Sequence, residues 1–229
     1  MDPIVLDDIP FEVDIPPLLE ALHVGADDDD AARVGELADK AQAIARPKAL
    51  YREAYVNQRG DRHVVVDGIW LTSRVLAVNL EGVHRVFPHV ATCGTELEEW
   101  SNSLDDVLER YWVDRIKEMA LGAAISAFTA DLEKRCRPGK TAVMDPGSLD
   151  DWPLGQQGQL FSILGEVREL IGVELTESFL MLPIKSVSGL RFPTEGNFES
   201  CELCRREDCP GRRALYDPEL FDEKYRTES

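Results

Sequence analysis

The sequence predicts a fold that mixes helices with short strands, and three observations point to it. Runs rich in valine, isoleucine and tyrosine at residues 51–56, 63–66 and 69–71 are separated by the turn signals Asn57-Gln58-Arg59-Gly60-Asp61 and Asp67-Gly68. A helical period with many alanines and small residues fills much of residues 96–135, most clearly from Tyr111 to Leu132. Further strand-like runs at 83–92, 179–182 and 186–192 are interrupted by a helical pattern at 156–170.

In chain order, Pro16 and Pro17 suit a first helical turn, with Leu18, Leu19, Leu22 and Val24 as its apolar contacts. The acidic run 27–30 suits the start of a helix over 31–44, which Pro47 ends. It is a poor calcium loop, because the alternating ligands and central glycine are missing. Residues 75–80 read as a short helix stopping near Gly82, and 83–92 as a buried strand bent at Pro88 and ended by Cys93-Gly94. Arg137-Pro138-Gly139-Lys140 breaks the long helix, and 143–153 reads as an irregular loop. Leu160, Ile163, Leu164, Val167 and Leu170 form one face of the next helix, capped by Gly172. Past Pro193 the chain is polar and irregular, and the tail 217–229 reads as mobile or loosely docked. The expected organisation is one compact domain in four parts: an N-terminal α+β portion (1–95), a core (96–192), a cysteine-rich loop (193–216) and an acidic tail (217–229).

The 229 residues carry a net charge of −18, which argues against nucleic acid and anionic membranes as partners. A basic partner surface or plain solubility fits that charge. The N-terminus carries acids and no signal peptide, and no apolar run reaches spanning length, so the expected compartment is a reducing cytoplasm. His63, His84 and His89 are scattered among apolar residues and read as core-edge histidines. Asp114, Arg115 and Glu118 share a helical face, where solvated charge pairing is the simplest role.

Cys201, Cys204 and Cys209 crowd one short segment of a chain with five cysteines. Thiolates at such spacing can converge on one metal centre, whereas an odd count in a reducing compartment disfavours a disulfide framework. Arg205, Arg206, Arg212 and Arg213 surround them. These arginines would lower thiolate pKa values, meet an acidic partner or serve solubility.

Four motifs then carry a resemblance. Asp145-Pro146-Gly147, the helix after it, Gly172-Val173-x-Leu175-Thr176-Glu177-Ser178 and Ser186-Val187-Ser188-Gly189 resemble, in this order, the activation domain of cobalamin-dependent methionine synthase. Asp114-Arg115-x-x-Glu118 on a small-residue helix is similar to it as well. The match runs from about Leu104 to Phe192. It implies an α+β fold with a twisted antiparallel sheet and packed helices. It also implies a stand-alone activator that acts on cobalamin supplied by a corrinoid protein or a methionine synthase, with a ferredoxin- or flavodoxin-like electron donor. S-adenosylmethionine is the small ligand implied. Glu118, Pro146, Gly147, Thr176, Glu177, Ser178, Ser186, Ser188 and Gly189 would line the cleft facing ligand and cofactor, although turn and strand-end hydrogen bonding would also explain the hydroxyls.

The sequence departs from the family twice. Val143 and Ser148 stand where the family loop has an arginine before the Pro-Gly and a tyrosine after it, so a ligand carboxylate would lose a bidentate guanidinium partner. The cysteine motif is an addition. With Cys93 as fourth ligand, since Gly94 allows close approach and Cys136 lacks such a setting, Cys93, Cys201, Cys204 and Cys209 make a four-thiolate set. A [4Fe–4S] cluster passing an electron to cob(II)alamin fits the implied redox role. Zinc fits the spacing equally, and Pro210 after the last cysteine is similar to ferredoxin runs, whose spacing the four-residue gap before Cys209 does not match. The alternatives are an S-adenosylmethionine-binding reactivation domain with structural zinc, and a non-catalytic docking factor for corrinoid proteins.

Overall fold

The structure, a computed structural model, describes residues 2–206, 208–209 and 211–226. Its elements are β1 (Ile4–Leu6), α1 (Ile15–Leu22), α2 (Asp29–Ile44), β2 (Lys48–Tyr51), β3 (Ala54–Arg59), β4 (His63–Val66) and β5 (Ile69–Thr72). Then come α3 (Arg74–Asn79), β6 (Arg85–Thr92), α4 (Thr95–Asn102), α5 (Val107–Cys136) and β7 (Thr141–Met144). The last are α6 (Gln157–Leu164), α7 (Val167–Ile171), β8 (Glu174–Leu175), β9 (Met181–Leu182) and β10 (Ser186–Pro193).

Eight of the strands form one antiparallel sheet, with β6 as its hub. One edge of β6 carries β2 along Thr92–His89 and β3 at Val86 and Arg85, from which β4 and β5 continue as a meander. The other edge carries β10, which in turn pairs with β7. β8 and β9 form a separate small hairpin.

Alternation along β6 and β10 decides the layers. Phe87 and Ala91 face Ala124, Phe128 and Leu132 of α5, and Val187 packs on the same cluster. Val90 instead meets Leu164, Val167 and Ile171, while Val86, Leu190 and Phe192 pack with Trp152 and Leu160. Helices α1, α2, α4 and the first half of α5 share a further core. The Tyr51 hydroxyl donates to Asp131 Oδ2 of α5 at 2.7 Å, tying helix to sheet. This is the α+β fold with a twisted antiparallel sheet and packed helices that the motif resemblance implies.

Several boundaries differ from expectation for identifiable reasons. The run 51–56 is two strands, β2 and β3, because β6 is long enough to pair with both. The long helical region divides at Asp106, whose carboxylate accepts from the Leu108 and Glu109 amides and starts α5 afresh. The region read as a loop continues from a strand, since Ala142–Met144 lie across from Phe192–Leu190. The helix at 156–170 breaks at Gly165, which has φ +89°. The tail is docked through Tyr225, which is buried, whose carbonyl accepts from Arg74 Nε at 3.0 Å and whose hydroxyl meets Asn79. Residues 227–229 of the tail lie outside the described residues.

Candidate functional site

The site begins where β7 stops. β7 covers only Leu190–Pro193, so at Ser186–Gly189 the described residues give β10 a hydrogen-bonded strand neighbour on the β6 side alone. At that point the chain leaves β7 through Asp145-Pro146-Gly147. Gly147 has φ +85°, its amide donates to Trp152 O at 2.7 Å, and the Ser148 amide closes on Asp145 O. The loop is thereby fixed beside the uncovered half of β10.

The Asp145 carboxylate lies directly on Gly189. A Cβ there would sit 2.1 Å from Asp145 Oδ1 and 3.1 Å from His89 Cε1, so only glycine admits this approach. Burial pushes the Asp145 carboxyl up to about 6, against the charges of Arg213 and Arg191. His89 is buried, stacks on Phe128 at 4.5 Å, and is pushed down to about 3 by burial and by Arg191. It is therefore a neutral core histidine. His63 stacks on Trp70 at 4.3 Å, also a packing role.

At the other end of the uncovered stretch, Lys185 donates to Asp114 and Glu118 of α5, each at 2.8 Å. Burial works against its charge, but the two carboxylates outweigh it and the ammonium pKa is raised. Glu118 also pairs with Arg115, so its charge is already matched twice. Ser186 Oγ lies 2.9 Å from Thr92 Oγ1 and 2.7 Å from Pro183 O, and Ser188 is buried. By strand alternation these two serines face away from α5 and Glu118.

Thr176, Glu177 and Ser178 form the β8–β9 turn. Thr176 Oγ1 accepts from the Leu180 amide at 3.0 Å and meets Ser178 Oγ at 3.1 Å, while Glu177 is exposed. The next residue, Phe179, lies against Gly155 and Gly158 at the start of α6. The structure thus brings Asp145 to Gly189 while Gly147 packs on Leu154, and places Ser186, Ser188 and the Thr176–Ser178 turn elsewhere than on the α5 side. Lys185, Asp145 and Arg191 were missing from the expected cleft. Arg191 carries a legible signal, being the one charged residue within Ser186–Pro193.

The four cysteines do not assemble. Cys93 is fully buried among α1, α2, α4 and α5 residues, and burial pushes its thiol up to about 12. Cys204 packs instead with the cluster on the opposite sheet face. The sheet stands between them, which corrects the choice of Cys93 as fourth ligand. Among the described residues no group of three or more His, Cys, Asp or Glu side chains converges as a metal site. The Arg212 guanidinium fills the loop, donating to the carbonyls of Cys201 (3.1 Å), Cys204 (2.9 Å) and Ala214 (2.9 Å). Cys201 Sγ accepts from the Arg213 amide at 3.4 Å. As arranged, the donor set does not fit a four-thiolate [4Fe–4S] cluster. Pro210 lies outside the described residues.

The class defined by fold and groove is an α+β domain whose Pro-Gly loop closes on a half-covered central strand. No family model matches the sequence, and no curated protein sequence matches it. Among solved structures, the crystal structure of the MetH reactivation domain bound to AdoHcy is similar to it, with a TM-score of 0.57 at 16% identity. The likeness covers 87% of this chain and 81% of that one, and at this identity it establishes the fold.

Proposed function

We propose that this chain reactivates a corrinoid protein of the cobalamin-dependent methionine synthase kind, holding S-adenosylmethionine in the groove beside the uncovered half of β10. The observation that carries this is the meeting of Asp145, which opens the Pro-Gly loop, with Gly189 in a fold whose solved neighbour holds AdoHcy. The chemistry supported is one-electron reduction of cob(II)alamin, then transfer of the sulfonium methyl to cobalt(I) with AdoHcy leaving. The electron would come directly from a reduced flavodoxin- or ferredoxin-like donor. The chain's own part is positional: Gly189 and Gly147 permit close approach, and Lys185 fixes Glu118 at one end of the groove.

Cys201, Cys204 and Cys209 remain candidate metal ligands, for iron–sulfur or zinc. With Cys93 withdrawn they would bind through three thiolates and an outside ligand. No step of the proposal passes through them.

The test is an anaerobic assay with a cobalamin-dependent methionine synthase lacking its own reactivation module. Adding this chain, S-adenosylmethionine and reduced flavodoxin should convert cob(II)alamin to methylcobalamin. Identical cob(II)alamin spectra with and without the chain, across flavodoxin and ferredoxin donors, would overturn the proposal.

A further inference from the structure

Arg191 is incompletely matched. Its Nη1 donates to Thr141 Oγ1 at 3.0 Å and its guanidinium lies 5.5 Å from the Phe128 ring centroid. Its Nε is buried without a hydrogen-bond partner. A buried donor left in this state forfeits its hydration without repayment, so a position that keeps one invites an acceptor. Asp145 is half-buried and lies on the same face of the β7–β10 ladder as Arg191, two residues past Val143, which pairs with Arg191. Among the described residues its carboxylate makes no side-chain hydrogen bond and no ion pair within 4.0 Å, although the charges of Arg191 and Arg213 reach it. Arg213 comes from the cysteine loop, where Glu199 holds it at 2.9 Å.

An acid and a guanidinium that share a space without closing on each other leave both poles available. A zwitterion satisfies both at once: its ammonium meets the carboxylate and its carboxylate meets the guanidinium fork. We infer that Asp145 and Arg191, with Arg213 in support, clamp the free α-amino-acid end of the ligand bound in the groove. Residue recognition thus falls on the amino-acid tail, with Asp145 taking its ammonium and Arg191 its carboxylate. This rests on the reading of the groove as an S-adenosylmethionine-type site and deepens it.

Calorimetric titration with two thioether nucleosides separates the two claims. AdoHcy carries the amino-acid end, and 5′-methylthioadenosine lacks it. The wild-type chain should prefer AdoHcy by about tenfold or more, the scale of a charge-assisted contact. Arg191→Gln should bring AdoHcy down to the level of 5′-methylthioadenosine and leave the latter unchanged. Val143 lies across from Arg191 in the β7–β10 register. Adding Val143→Arg to Arg191→Gln should therefore return part of the preference, which a purely structural role would not do. If circular dichroism shows Arg191→Gln to be misfolded, Asp145→Asn tests the other pole, with the same selective loss expected. Equal affinity of the wild type for both ligands, or an unchanged preference in the folded variants, would overturn the clamp while leaving the groove reading intact. No binding of either nucleoside would overturn both.

Discussion

The two ends of the uncovered half of β10 handle charge in opposite ways. At the Lys185 end every partner is matched: one ammonium faces Asp114 and Glu118, and Glu118 also holds Arg115. At the Asp145 end the carboxylate makes no side-chain hydrogen bond or ion pair among the described residues, and the Arg191 Nε on the same ladder face is buried without a partner. Matched, partly exposed charges contribute little to stability and mainly fix geometry. Unmatched, buried ones are costly unless a ligand completes them. The difference assigns scaffolding to the first end and recognition to the second.

The most disruptive way to break this comparison is Gly189→Ala. The added methyl would meet the Asp145 carboxylate and His89, so Asp145 must leave its place. The expected loss is about 2–3 kcal/mol in denaturant unfolding, together with loss of AdoHcy binding. Lys185→Ala removes the cation that Asp114 and Glu118 share, leaving Asp114 with Lys117 at 3.6 Å and Glu118 with Arg115. Both carboxylates are about 40% exposed, so solvent blunts the loss and the expected cost is only about 1 kcal/mol.

Between these in size is a pH effect. The Asp145 carboxyl titrates near 6 in the folded chain and near 4 unfolded. A raised carboxyl pKa means the folded state binds more protons between those values. Its contribution is therefore full below about pH 4 and is lost as pH rises through 6, by at most about 3 kcal/mol, which solvent screening of this half-buried group reduces. His89 has the opposite sign, because its folded pKa is depressed to about 3, so stability falls as pH drops below about 6.5. Unfolding free energies of wild type and Asp145→Asn across pH 4–7 should differ in slope, with the variant keeping only the acid-side loss. Parallel curves would show that Asp145 is not held as described.

The smallest expected effect concerns metal. Cys93→Ala should cost about 1 kcal/mol as a core cavity and leave the iron, sulfide and zinc content of anaerobically purified protein unchanged. A metal lost with Cys93 would restore the four-thiolate set.

Much of this could be read in the sequence. The apolar period of α2, the buried run of β6, the strand Ser186–Pro193 and the order of the Pro-Gly and Ser-Val-Ser-Gly motifs all emerge from local pattern. β7 did not, because four residues with no turn signal before Asp145 form a strand only when β10 supplies their partner. Cys93 misled because spacing along the chain carries no information about which face of a sheet a side chain takes. One residue's alternation sends it away from Thr92 and into the α5 core. The Asp145–Arg191 relation was hidden for the same reason. It is created by pairing across the ladder rather than by proximity in sequence.

The most direct test of the account is hydrogen–deuterium exchange of the full chain with and without saturating AdoHcy. The account predicts added protection confined to the stretch from Val143 to Ser148 and to Lys185–Arg191, the two strands' meeting point. Another cleft of about 590 Å³ lies between Ser148, Asp151, Cys204, Arg205, Tyr216 and Phe221. Protection centred there, or none anywhere, would contradict the placement of the ligand beside β10.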